Sequence, residues 1–129
     1  MHYAEFPSLA GYYLEDSFVL GITSDQQSLA FELEVVLTED HPHYAAPQPG
    51  EQYCYAHGVL TFDDVAQAHW LQCNDRTYTD AAGDEDLGNI DVLDREDGTW
   101  RVSGDWGEVL VTTPSTPTIS LQHSHHIRA

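Results

Sequence analysis

Between Ser28 and Leu37 the chain alternates so strictly that little choice of local structure is left. Leu29, Phe31, Leu33, Val35 and Leu37 fall on one parity, and Glu32 and Glu34 lie between them on the other. A period of two puts the apolar set on one face of an extended strand and the carboxylates on the opposite face. Such a strand needs a second layer to cover its apolar side. Just upstream, Phe18-Val19-Leu20-Gly21-Ile22 is a short apolar run, and Ser24-Asp25-Gln26-Gln27 joins it to the alternating stretch as the loop of a hairpin.

The rest of the chain repeats this style. Gln52 to Phe62 reads as a strand with Tyr53, Tyr55, His57, Val59 and Thr61 on one face and Cys54, Ala56, Gly58, Leu60 and Phe62 on the other. Apolar bulk on both faces predicts cover on both sides. Val65 to Cys73 suits either a strand or a short helix capped by Asp63-Asp64. Three short strands follow, Asn89 to Asp94, Thr99 to Gly104 and Glu108 to Thr113, joined by the turns Arg95-Glu96-Asp97-Gly98 and Gly104-Asp105-Trp106-Gly107. Pro114 and Pro117 set off a last strand, Thr118 to Gln122, as an edge strand. Glu39 to Gly50 and Asn74 to Gly88 read as loops.

Short strands at regular spacing, joined by tight turns, predict an all-β, mainly antiparallel fold. The expected architecture is a compact sandwich or barrel-like single domain over residues 1–122, with at most one short helix. Residues 123–129 form a His-rich tail. At 129 residues and 41% apolar composition the chain can bury a core without a metal or disulfide staple. Its two cysteines, Cys54 and Cys73, sit in strand-like stretches and are expected to be reduced and buried.

Charge narrows the partners. Twenty-two acidic residues face four arginines and no lysine, for a formal net charge of −18. The resulting field repels nucleic acid and anionic membrane and attracts cations and basic proteins. Solubility or a salt-rich habitat would select the same excess. The first residues, Met1-His2-Tyr3-Ala4-Glu5-Phe6-Pro7, lack a basic start and an apolar stretch, so no secretory signal is expected. No apolar run approaches the roughly 18 residues of a membrane helix. The expectation is a soluble, cytoplasmic protein.

Several constellations could carry chemistry. His41-Pro42-His43, preceded by Glu39 and Asp40, offers imidazole and carboxylate donors suited to zinc, but without further ligands at defined spacing. Surface histidines are the plainer reading, and His123, His125 and His126 form a loose cluster in the tail. The loop acids Asp75, Asp80, Asp84, Glu85 and Asp86, with Asp91 just beyond, supply the oxygen atoms calcium takes, in a spacing that does not match an EF-hand. Asp105 and Trp106, in a glycine-flanked turn, could anchor a partner or plug the end of a barrel. His57, in mid-strand among tyrosines, is either a satisfied core residue or a pocket residue. No nucleophile motif or phosphate-cradling glycine loop appears, so neither an enzyme nor a cofactor is expected.

The segment Glu15-Asp16-Ser17-Phe18-Val19-Leu20, the turn Gly104-Asp105-Trp106-Gly107 and the closing strand resemble small, uncharacterised bacterial all-β domains, some of them similar to immunity proteins. The resemblance lies in layout and carries over no functional residue. It implies a binding module that neutralises a toxin by covering it. The expected function is therefore an acidic protein-binding module with a basic partner such as a toxin or nuclease, binding through Asp75, Asp80, Asp84, Glu85, Asp86, Asp105 and Trp106. A metal-binding domain built on His41, His43 and the acidic loop is the alternative.

Overall fold

The alternating stretch forms the centre of a sheet in the computed structural model, which describes residues 1–47, 49–50, 52–73, 78–79 and 85–122, with only the backbone for 78–79 and 85–86. Strands β1 (Tyr12–Ser24) and β2 (Leu29–Leu37) make the expected hairpin, although β1 begins well before Phe18. Strand β3 (Cys54–Phe62) follows, then β4 (Gln67–Cys73), the two-residue strands β5 (Tyr78–Thr79) and β6 (Glu85–Asp86), β7 (Ile90–Glu96), β8 (Thr99–Gly104), β9 (Gly107–Thr112) and β10 (Thr118–Leu121). One sheet runs β1-β2-β3-β10 and the other β4-β9-β8-β7, with β5 and β6 as a small separate ladder. Every pairing is antiparallel. The protein is an all-β, two-sheet sandwich.

The apolar parity of β2 faces the second sheet, as its period requires. Leu29, Phe31, Leu33 and Val35 are fully buried, together with Leu60 and Phe62 of β3. Trp100 and Val102 of β8, Val109 and Val111 of β9, and Ile90 and Leu93 of β7 meet them from the other side. Aromatic edges lock the two layers: Phe31 packs on Trp106 at 5.1 Å between ring centroids and Phe62 on Trp100 at 6.1 Å. The Trp100 indole N–H lies within this core and finds no acceptor among the described residues. Apolar packing thus outweighs one unsatisfied donor here.

Two expectations are corrected. β3 is covered on one side only: Leu60 and Phe62 are buried, whereas Tyr55, His57, Val59 and Thr61 are half-exposed on the outer face. Its apolar outer residues form a surface, not a second core. The ambiguous segment at Val65 is a strand, because β9 offers it a ladder from Gln67↔Thr112 to Cys73↔Gly107. Asp64 takes a positive φ of 54° instead of capping a helix. Apart from two 3₁₀ turns, Tyr3–Glu5 and Pro7–Leu9, the described residues contain no helix, and so none long and apolar enough to cross a membrane.

The chain start closes the sandwich along the β1 and β7 side. Met1 exchanges backbone hydrogen bonds with Arg95, and His2 bridges Asp94, so the outer edge of β7 is covered. Tyr3 and Leu9 then drop into the core. On the same side, Val19 and the Leu87–Gly88 backbone pair through two bonds of 2.8 Å.

The turn joining β7 to β8 contains only Asp97 and Gly98, with φ of 53° and 78°. Two left-handed residues give the type I′ geometry that matches strand twist. A Cβ at Gly98 would meet nothing within 4 Å. Gly98→Ala should therefore destabilise through backbone strain alone, by about 1 kcal/mol. Urea unfolding of the two proteins measures this; an unchanged midpoint would contradict the turn assignment.

Candidate functional site

The sequence Leu14-Glu15-Asp16-Ser17 breaks the period of two, and the structure shows what the break builds. Tyr13 faces Val36 and Phe18 faces Glu34, so Leu14 to Ser17 bulge opposite Val35 alone. Such an excursion strands backbone groups unless side chains satisfy them. Ser17, completely buried, supplies the repair: its hydroxyl donates to the Tyr13 carbonyl at 2.8 Å and accepts the Val36 N–H at 2.9 Å. The Leu14 N–H donates to the Tyr3 hydroxyl at 3.0 Å, which in turn donates to the Glu15 carboxylate at 2.6 Å. Burial, reinforced by the Glu15 carboxylate, holds the Tyr3 phenol well above its ordinary range. The bulge thereby aims Glu15 and Asp16 into two different surroundings.

Glu15 belongs to an acidic end of the molecule. The Asn89 side-chain amide donates to the Glu15 carbonyl, and the Asn89 carbonyl accepts the Trp106 indole N–H at 3.0 Å. A Cβ on Gly104 would run into the Asn89 carbonyl and the same indole nitrogen, so the Gly-Asp-Trp-Gly turn needs glycine for this close approach. These ties hold the Asp105 turn against the bulge, and the charges of Asp105 and Glu15 both act on the Asp91 carboxyl. Partial desolvation raises the Asp91 carboxyl above its usual range, and Asp105 and Glu15 push it further the same way. His2 lies 3.5 Å from the far oxygen of Glu15.

Asp16 belongs to an aromatic face. It accepts the Tyr53 hydroxyl at 2.6 Å, and that bond, with some desolvation and the negative charge, pushes the phenol up to about 12. The outer face of the first sheet then reads in rows: Tyr13–Val36–Tyr55, Phe18–Glu34–His57 and Gly21–Glu32–Val59. Tyr13 meets Tyr53 edge-on at 6.2 Å, Tyr53 meets Tyr55 at 6.1 Å, and Phe18 stacks on Tyr55 at 6.0 Å. Beneath them Val36 is only 2% exposed, although it faces away from the core. His57 is neither a core nor a pocket residue; its Nε2 sits 2.7 Å from the Glu32 carboxylate on this open face.

The remaining candidates are dispersed. His41 is nearly buried, its ring edge-on to Tyr12 at 4.8 Å, and its Nδ1 accepts the His43 N–H. Burial lowers its pKa, and a protonated His43 would lower it further. Among the described residues no three His, Cys, Asp or Glu side chains converge as a metal site would need. Clefts of about 330 and 350 Å³ flank this loop where it crosses the inner face of the first sheet; Ala56, Cys54 and Leu121 line the first, Tyr12, Ile119 and His41 the second. Among the described residues no carboxylate lines either one. Cys54 and Cys73 are free as expected, but Cys54 is half-buried and Cys73 is exposed on β4.

Of the expected binding residues, Asp105 lies in the acidic end. Trp106 is 1% exposed and plugs the core, so its ring offers no surface to a partner. Glu85 and Asp86 form β6, which runs beside β1 at this same end. Asp75, Asp80, Asp84 and the tail histidines His123, His125 and His126 lie outside the described residues. Sequence reasoning did not single out Glu15, Asp16 or Asn89 as site residues. The interrupted parity between Leu14 and Val19 was the signal available for the first two.

The fold and site together define the class: an antiparallel two-sheet sandwich with an acidic bulge flanked by aromatic rings. No family model, curated protein or solved structure matches this chain.

Two substitutions test the geometry. Ser17→Ala should cost about 1–3 kcal/mol, because it orphans buried backbone groups on both strands; a near-neutral unfolding midpoint would refute the bridging role. A carboxyl whose pKa is raised by folding binds its proton more tightly in the native state, so stability falls as pH rises through that range. Asp91→Asn should accordingly raise Tm at neutral pH by roughly 1–2 °C, the scale of an exposed charge interaction. The gain should vanish below the carboxylate range; thermal unfolding at pH 7 and pH 3 separates the two.

Proposed function

We propose that this chain is a non-catalytic protein-binding module whose acidic end receives a basic partner, such as a toxin or nuclease, and neutralises it by covering it. One observation carries the reading. The fold draws Glu15, Asp91 and Asp105 from three separate elements to one end, where desolvation first, and then the charges of Asp105 and Glu15, raise the Asp91 carboxyl. Like charges held together by a bulge, an asparagine clasp and a glycine-dependent turn are costly to the isolated domain. A cationic surface would relieve that cost on binding.

The surrounding charge supports the same direction. Between described residues Arg101 pairs with Glu108, while His2 and His57 each set an imidazole beside a carboxylate, of Glu15 and Glu32. Four arginines cannot balance twenty-two acids, and a net charge of −18 is left on the molecule. It steers a basic protein toward the molecule and disfavours nucleic acid. In this reading the strand Glu85–Asp86 runs next to β1 at the acidic end, and the module acts in the cytoplasm.

Binding at a site differs from attraction to net charge, and a matched pair of variants separates them. Asp91→Asn with Asp105→Asn removes two charges from the acidic end; Asp25→Asn with Asp40→Asn removes two from exposed loops. A basic protein retained from the native cell extract should lose affinity at least about tenfold with the first pair, the scale of one close charge pair across an interface. It should change little with the second. Equal losses would reduce the acidic end to bulk charge and defeat the proposal.

A further inference from the structure

The aromatic face of the first sheet adds chemistry that an anionic surface does not require. Outer sheet faces exposed to water are expected to alternate toward polar residues. Here Tyr13, Phe18, Tyr53 and Tyr55 are joined ring to ring at 6.0–6.2 Å, with Tyr13 40% exposed. Carboxylates are set into the same grid. Glu34 lies between Phe18 and His57 in the row beside the tyrosines, Glu32 lies one row further, and Asp16 accepts from Tyr53 at the rim. The bulge at Leu14 to Ser17 connects this face directly to the acidic end.

Three classes of occupant can be weighed by charge. A second copy would bring another −18 against the first. A nucleic acid could stack its bases on the rings, but its phosphates would meet the same field. A basic protein segment satisfies both the rings and the carboxylates. Between its two cationic side chains the geometry discriminates. An ammonium is a compact, strongly hydrated point charge, whereas a guanidinium is planar, stacks on aromatic faces and bonds a carboxylate with two parallel N–H groups. Rings and carboxylates interleaved at strand spacing suit the second.

We infer that the outer face of the β1-β2-β3 sheet, built on Tyr13, Phe18, Tyr53 and Tyr55 with Glu34 among them, is a docking surface for an arginine-bearing segment of the basic partner. The inference rests on the proposed partner class and specifies which side chain is read and where. Arginine side chains stack on the tyrosine rings beside the negative charge of Glu34 and Glu32. The acidic end supplies attraction to any cation; the aromatic face supplies the preference for arginine.

The test is calorimetric titration of the full chain with an oligo-arginine and an oligo-lysine peptide of equal length at low salt. Oligo-arginine should bind about fivefold more tightly or better, the worth of one or two exposed cation–π contacts. Tyr13→Ser with Tyr55→Ser should bring the two peptides to the same affinity, whereas Asp91→Asn with Asp105→Asn should weaken both alike and keep the preference. Glu34→Gln, which retains the shape of the strand, should also shrink the preference and guards against a tyrosine variant that fails to fold. Equal binding of both peptides by the unaltered protein, or a preference that survives Glu34→Gln and the tyrosine changes, would overturn the docking surface while leaving the basic-partner reading in place. Failure of both peptides to bind would overturn the docking surface and the basic-partner reading together.

Discussion

A single buried hydroxyl carries much of this molecule. Ser17 replaces the ladder bonds that β1 gives up between Tyr13 and Phe18, and without that replacement the strand would have to run straight. A straight β1 would keep Glu15 and Asp16 on alternate faces of the sheet, one of them in the core. The bulge instead turns Leu14 inward, where it is fully buried, and sends both carboxylates to the surface. From there the charge of Glu15, with that of Asp105, acts on Asp91, and Asp16 accepts the Tyr53 hydroxyl. The acidic end and the aromatic face are two outcomes of the same local accommodation.

Much of the fold was legible because it follows from periodicity. The parity of β2 dictated which side of the sheet is buried, and the glycine-bearing turns at Asp97-Gly98 and around Asp105 dictated where strands reverse. Periodicity failed where tertiary partners decide. Val65 to Cys73 could not be resolved without β9, and the outer face of β3 looked like a buried one because tyrosine is both apolar in bulk and tolerant of water. The site was less legible still. Asp105 could be suspected from its turn, but its proximity to Asp91 and Glu15 depends on Asn89, whose role is visible only in three dimensions. Trp106 illustrates the converse: a tryptophan in a turn resembles an interface anchor until its neighbours Phe31 and Trp70 are seen.

The charge distribution sets the terms on which this sandwich is stable. Its core is conventional in chemistry, with aliphatic residues of the first sheet against tryptophans and valines of the second. Around it the acids cost the folded state more than the unfolded one, because folding brings them closer. Added salt should relieve this repulsion and at the same time weaken long-range attraction of a cationic partner. Stability and long-range attraction of cations therefore respond to ionic strength in opposite senses.

The placement of the tryptophans has an optical consequence. All three indoles belong to the second sheet and its turns: Trp70 on β4, Trp100 on β8 and Trp106 between β8 and β9. Trp100 and Trp106 are shut off from water by Phe62 and Phe31 of the opposite layer. The chain therefore contains its own spectroscopic gauge of whether the two layers are in register. Blue-shifted emission reports them closed, and a red shift reports water between them, with no dye or label attached.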